Sequence, residues 1–257
     1  MIRERPLECN GERVIDTEFY RKASTGTLAE LKSLIAVGAN PDAPIRNKIK
    51  DDFYAIHQAA LNPDIGVLKY VVSLGVDPCR RDYWARQPLA FAVRKNPLPF
   101  ARYLVELGNS AQEEDHDGET VIAAAALNPH VEVLDYLLGL GADLNVGGFY
   151  DSPLGIALSH GTTERVKYFI DHGAEPGWAI QTHGFCAPIE NLRVILENGC
   201  DPNWIDDEEE TPTRVIDHLD PERQALFREF GGEVLNPNAE KFYKTYPQMM
   251  PGYDRKE

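Results

Sequence analysis

Apolar positions along the chain fall into short stripes with helical spacing. Val67, Leu68, Val71 and Val72 form one; Tyr103, Leu104 and Leu107 another; Val133, Leu134, Leu137 and Leu138 a third; Val166, Phe169 and Ile170 a fourth. Residues at i, i+1, i+4 and i+5 share one face of a helix, so each stripe predicts an amphipathic helix of about three turns. Each closes on a Gly followed by a small and then a polar residue. The marker recurs as Gly38-Ala39-Asn40, Gly75-Val76-Asp77, Gly108-Asn109-Ser110, Gly141-Ala142-Asp143, Gly173-Ala174-Glu175 and Gly199-Cys200-Asp201, with a degenerate copy at Gly232-Glu233-Val234. Successive spacings are 37, 33, 33, 32, 26 and 33 residues. Glycine suits the left-handed conformation that stops a helix, so the series predicts repeated helix ends.

A second signal stands about 21 residues before these glycines, as Tyr54-Ala55-Ile56-His57, Gln87-Pro88-Leu89-Ala90, Thr120-Val121-Ile122-Ala123, Ser152-Pro153-Leu154-Gly155 and Thr211-Pro212-Thr213-Arg214. Ser and Thr cap helix N-termini, and Pro is favoured in the first helical turn. Small residues follow, as in Ala123 to Ala126, and allow neighbouring helices to stack closely. Asn-Pro pairs at Asn62-Pro63 and Asn128-Pro129 mark the turn to the next helix. Each unit therefore reads as a short helix, a turn, a second helix ending in Gly, and a polar connection.

These residues resemble the ankyrin repeat family, whose pattern runs D-x-x-G-x-T-P-L-H-x-A-A and, after a second helix, L-L-x-x-G-A-D-x-N. Asp115 to Thr120 and Leu137 to Asn145 match it closely, and His57 keeps the His of T-P-L-H. The resemblance covers about residues 15 to 235. It implies an all-α solenoid of about seven helix pairs whose connections project as short β-hairpin fingers. Residues 1–235 would form one repeat domain, with 1–37 and 211–235 as terminal caps, because a stack buries its core only between neighbours. The family's His is expected to hydrogen-bond within its turn. The tail 236–257 contains Phe242, Tyr243, Tyr246, Met249, Met250 and Tyr253. It either packs on the last repeat or serves as a partner-seeking peptide.

Two departures from the period are informative. The 37-residue spacing lengthens the first connection into a mixed-charge finger, PDAPIRNKIKDDF. The 26-residue spacing removes residues around Glu175 to Cys186, from the connection and the first helix together. The row of fingers should have a gap there, lined by Trp178.

Charge narrows the choice of partner. The 257 residues hold 26 Lys and Arg against 41 Asp and Glu. Residues 1–100 balance at +3 and residues 101–257 at −18, and neither Lys nor Arg occurs between Arg102 and Arg165. Binding phosphate needs clustered cations, so nucleic acid and anionic membranes are poor partners for the later repeats. Arg80, Arg81, Arg86, Arg94 and Lys95 make one basic island. No run of about 18 apolar residues suggests a membrane span. The opening residues carry charges where a signal peptide has its apolar core, which points to the cytosol. The four cysteines lack metal-ligand spacing and read as reduced thiols.

Catalytic motifs are missing from the sequence: it holds neither G-x-S-x-G, H-E-x-x-H nor G-K-[ST]. The runs Glu113-Glu114-Asp115 and Asp206 to Glu210 lack the alternating ligands and bend of a calcium loop. No catalytic residue, cofactor or metal is therefore expected. The resemblance implies a non-enzymatic scaffold that engages a protein through its finger tips and through the concave face of the first helices. Tyr83 and Trp84, Phe149 and Tyr150, Trp178 and Trp204 are candidate anchors, with Glu113, Glu114, Asp115, Asp206 and Asp207 as acidic contacts. Trp204 could equally pack into the stack. Outward positions of the first helices are expected at Gln58, Leu61, Asn62, Phe91, Arg94, Lys95, Ala124, Leu127, Asn128, Ile156, Ser159 and His160. The expected partner is a basic protein, and the chain is expected to be a monomer when free. An inhibitor or immunity protein that neutralises a basic enzyme such as a nuclease toxin is the alternative. A self-associating structural piece is the third.

Overall fold

A computed structural model of the chain describes residues 8–9, 12–46, 52–146, 152–203 and 219–233. Helices dominate. Among the described residues, strands are limited to four two-residue pieces, β1 (Glu8–Cys9), β2 (Glu12–Arg13), β3 (Ile45–Arg46) and β4 (Asp52–Phe53), paired antiparallel as β1 with β2 and β3 with β4. The second pair is the base of the lengthened first finger. Two compact units divide the chain, Met1–Asp143 and Leu144–Glu257.

The first unit contains four helix pairs: α1 (Val14–Thr25) with α2 (Leu28–Ala36), α3 (Ala55–Leu61) with α4 (Ile65–Ser73), α5 (Pro88–Ala92) with α6 (Leu98–Glu106), and α7 (Val121–Ala124) with α8 (Val131–Gly139). First helices stack on first helices, α1 on α3, α3 on α5 and α5 on α7; α2 packs on α4 and α6 on α8. Small side chains make this stacking possible, with Ala59, Ala60, Ala92, Ala123, Ala125 and Ala126 all buried. The stripes read from sequence supply the core, since Val67, Leu68, Val71, Leu104, Val133, Leu134 and Leu137 are buried.

The second unit holds α9 (Pro153–His160), α10 (Thr163–Asp171), α11 (Pro176–His183), α12 (Ile189–Glu197) and α13 (Pro221–Glu229). Here α9 packs on α11, α10 on α12 and α12 on α13. Ala157, Leu158, Phe169, Ile180, Ile195 and Phe227 form its core. The short repeat corrects one expectation. Helix α11 follows Glu175 directly and keeps eight residues, so the shortening falls wholly on the connection and spares the first helix. No hairpin stands between Gly173 and Ile189.

Helix ends follow the sequence signals. Thr120 accepts a bond from the Ala123 N–H and Ser152 from the Gly155 N–H. Seven helices stop at a glycine with φ between 84° and 102°, namely Gly38, Gly75, Gly108, Gly141, Gly173, Gly199 and Gly231. Behind six of these glycines the N–H of the following residue returns to the last turn, as Ala142 N–H to Leu137 O at 3.1 Å and Ala174 N–H to Phe169 O at 2.9 Å. Such 6→1 closures satisfy carbonyls that a helix end would otherwise leave bare. In the last copy the stop is Gly231, one residue earlier than the sequence marker. Gly232 takes the place of the small residue, and its N–H bonds Phe227 O at 2.9 Å.

Buried asparagines tie repeat to repeat. The Asn62 side-chain amide donates to Ala23 O and Gly26 O, both at 3.0 Å. Asn96 donates to Ala60 O at 2.7 Å and Asn62 O at 3.2 Å, and Asn128 to Val93 O at 2.7 Å and Asn96 O at 3.0 Å. Asn191 repeats the arrangement in the second unit, reaching Leu158 O at 2.9 Å and Gly161 O at 3.1 Å. Asn62 and Asn128 were expected to face outward; they point inward because a planar amide can fill two carbonyls at the end of the preceding first helix. A second link uses the Asn of G-A-D-x-N. Asn145 donates to Gly173 O at 3.0 Å and accepts from the Glu175 N–H, and Asn203 does the same with Gly231 and Glu233.

Candidate protein-binding surface

Two fingers lie wholly within the described residues, and each is a tight hairpin closed by one aspartate. In the finger of the third pair, the Asp82 carboxylate accepts from the Trp84 N–H at 3.0 Å and the Arg86 N–H at 2.9 Å, and takes two guanidinium bonds from Arg86 at 3.0 and 2.7 Å. In the next finger Asp115 accepts from the Asp117 and Glu119 N–H groups, both at 2.9 Å. Asp82-Tyr83-Trp84-Ala85-Arg86 is thus the equivalent of Asp115-His116-Asp117-Gly118-Glu119. Gly118 adopts φ +84°, and Ala85 is forced to φ +66° at the same place. An alanine there is strained, since a Cβ in the left-handed region meets the following carbonyl.

The hairpins are laced together. Tyr83 N–H donates to Asp52 O at 3.3 Å, and His116 N–H to Trp84 O at 3.0 Å. Glu114 and Thr120 form an antiparallel bridge at the base of the fourth-pair finger. This lacing fixes Tyr83 and Trp84 at a tip, their rings edge to face with centroids 5.3 Å apart. Tyr83 is 51% exposed and Trp84 half-buried. Between the two fingers lies a shallow open groove lined by Ala85, Arg86, Gln87, Glu113, Asp115 and Thr120.

Charged residues at these fingers are largely paired. Arg80 bonds both Asp42 oxygens at 3.0 and 2.8 Å, Arg81 pairs with Glu113, Arg86 with Asp82, and Arg94 with both Glu119 oxygens at 2.9 and 2.6 Å. The basic island is therefore neutralised internally, with Lys95 left exposed. Of the acidic candidates, Glu113 is half-buried in its ion pair and Asp115 closes its own hairpin, while Glu114 and the neighbouring Asp117 point to solvent. Phe149, Tyr150, Trp204, Asp206 and Asp207 lie outside the described residues. Trp178 is the third residue of α11, and its side chain is likewise outside them.

The first helices present a mixed face. Leu127 is exposed, Gln58 is half-buried and donates to the Tyr20 hydroxyl at 2.9 Å, and Ala124 is buried rather than outward. His57 departs from its expected place. Its Nε2 bonds the Arg80 carbonyl of the next finger at 2.9 Å, and Tyr54 stands where the family pattern has Thr. Its Nδ1 is buried without a hydrogen-bond partner, and the ring lies between Tyr54 and Phe91, centroids at 6.1 and 5.0 Å. Burial holds the imidazole pKa below its usual value, the nearby Asp82 carboxylate opposing this in part. Neither ring nitrogen is aimed at solvent chemistry. Burial also pushes the Cys200 thiol up to about 12, so it is inert packing. No described helix is long and apolar enough to cross a membrane.

Comparison with known proteins gives the class. A family model described as "Ankyrin repeats (3 copies)" matches residues 56–148 and 92–178. The chain is an ankyrin repeat protein. The ankyrin repeat protein nuc-2 of Neurospora crassa is 31% identical over 166 residues, covering 64% of this chain and 15% of that protein. Tyrosine-protein kinase Shark of Drosophila melanogaster is 26% identical over 179 residues, covering 68% of this chain and 19% of the kinase. The chain thus spans less than a fifth of either relative. The ankyrin repeat domain of human ASB11 superposes with a TM-score of 0.65 at 19% identity, over 84% of this chain and 98% of that domain. Ankyrin repeats generally act as protein-interaction scaffolds rather than as enzymes.

Proposed function

We propose that this protein is a non-enzymatic scaffold, one repeat domain over residues 1–235, that binds a basic protein in the cytosol and is monomeric when free. The observation that carries the reading is the tip of the third-pair finger. Tyr83 is exposed there although it is large and apolar, and its hairpin is held by the Asp82 bonds and by lacing to both neighbours. A rigid aromatic loses little conformational freedom on binding, and centrally buried aromatics are each worth about 2 kcal/mol or more. The −18 balance of residues 101–257 favours a cationic partner by steering encounter and by excluding anionic competitors. That balance also supports the narrower version, an inhibitor of a basic enzyme such as a nuclease.

Steering and anchoring can be separated. Glu114→Gln with Asp117→Asn removes exposed charge without touching the finger's internal bonds, and should slow association while leaving release nearly unchanged. Tyr83→Ala with Trp84→Ala should speed release by about thirtyfold, the equivalent of one 2 kcal/mol anchor. Surface kinetics against the captured partner, repeated from about 0.1 M to about 1 M salt as the Debye length falls from roughly 10 Å to 3 Å, measures both. An association rate indifferent to salt, or an acidic partner, overturns the electrostatic part.

A further inference from the structure

Cations stacked on tyrosines mark a second surface, on the side of the second helices turned away from the first. Lys32 of α2 lies over the Tyr70 ring of α4 at 5.7 Å, Lys69 of α4 over the Tyr103 ring of α6 at 5.4 Å, and Arg102 of α6 over the Tyr136 ring of α8 at 5.6 Å. One cation per repeat thus reaches forward onto the next. These three differ from the finger-side arginines, each of which is held by a carboxylate. A ring face orients a cation without cancelling its charge. Around them the outward residues of α2 and α4 are small, Ala29, Ser33, Ala36 and Ser73, while on α6 Pro99 is exposed together with one acidic residue, Glu106, a turn beyond Arg102. The row ends at α8, where Asp135 takes the place of the cation and Glu132 stands beside it.

We propose that this row, Lys32, Lys69 and Arg102, docks an extended acidic segment of a partner polypeptide. The proposal goes beyond the finger-tip reading and does not depend on it. Packed helices lie about 8–10 Å apart, which sets the spacing of the cations. An extended polyproline II chain has three residues per turn and advances about 3.1 Å per residue, so carboxylates at every third residue share one face about 9 Å apart and meet the cations in register. Nucleic acid fits less well, because its phosphates are more closely spaced than the row and far more numerous than three cations can neutralise. A membrane surface would also press anionic lipid against Glu132 and Asp135.

The test uses a fluorescent peptide with Glu at every third position, a peptide of the same composition with its Glu residues contiguous, and vesicles containing phosphatidylserine. The full chain should bind the spaced peptide at least threefold more tightly than the contiguous one at low salt. Lys32→Gln with Lys69→Gln and Arg102→Gln should weaken the spaced peptide about tenfold. The single substitution Lys69→Gln, which leaves the packed core intact, should weaken it about twofold. Tyr83→Ala with Trp84→Ala should change nothing. Equal affinity for both peptides, an undiminished affinity in the cation variants, or preference for the vesicles would overturn the proposal.

Discussion

The buried asparagines define the sharpest stability prediction, and Asn128 is the cleanest of them. It is fully buried; its amide fills Val93 O and Asn96 O, and its carbonyl accepts from the His130 N–H at 2.8 Å. Three neutral hydrogen bonds at about 1 kcal/mol each make Asn128→Ala cost about 3 kcal/mol, a large share of a typical folding free energy. The isosteric Asn128→Asp is more diagnostic, because it sets an acceptor against two carbonyl oxygens and buries a charge. Both effects raise the aspartate's folded pKa above its unfolded value of about 3.9. Its penalty should therefore be largest at pH 7 and shrink as pH falls through the raised pKa, since the neutral acid can donate one of the two bonds. Urea denaturation followed by helical circular dichroism at pH 7.5 and 5.0 reads both variants. Asn198→Ala serves as control, because that amide bonds only its own helix, at Val194 O, and is exposed. A loss below about 1 kcal/mol for Asn128→Ala, or an Asn128→Asp penalty that does not shrink in acid, would refute the ladder as a source of stability.

Further predictions follow from the fingers and from His57. Ala85→Gly should raise stability by about 0.5–1 kcal/mol, relief of left-handed strain outweighing the glycine's added freedom when unfolded; a lower melting temperature would contradict it. His57 has a depressed folded pKa, so protons bind the unfolded chain more readily. Its contribution is fully present above about pH 6.5 and declines as pH falls from there toward the folded value. His57→Gln should lessen that acid loss between pH 7.5 and 5.5 relative to the parent, and an unchanged pH slope would count against the assignment. Asn145→Ala should cost about 1–2 kcal/mol by freeing Gly173 O and the Glu175 N–H, measured by the same denaturation.

Much of this architecture was legible in the chain. The glycine markers located the ends of α2, α4, α6, α8, α10 and α12, because a left-handed stop is a local requirement that sequence expresses directly. Thr120 and Ser152 did the same for helix starts. Links between repeats were harder to read. Asn62-Pro63 and Asn128-Pro129 were visible as turns, yet the same side chains serve the preceding repeat, and turn chemistry alone does not reveal that second role. The recurrence of Asn96-Pro97 in the same phase was the available signal. The forward-leaning cations had one too, in Lys69-Tyr70 and Arg102-Tyr103, 33 residues apart. Neutralisation of the basic island was not legible, since Arg81 with Glu113 and Arg94 with Glu119 meet only once neighbouring repeats stand side by side. At the short repeat the count of residues was informative, but whether helix or connection gave way depended on packing, and α11 retains its contact with α9.

The central claim is that the finger tip at Tyr83 touches a protein partner. Photo-crosslinking tests it most directly, with benzoylphenylalanine replacing Tyr83 in one sample and the exposed Lys167 of α10 in another, both expressed in the native host. A discrete covalent adduct with a basic protein is expected from position 83, formed in lower yield when irradiation is carried out at high salt, and none from position 167. Adducts of equal yield from both positions, or none from position 83 while the protein remains folded, would contradict it.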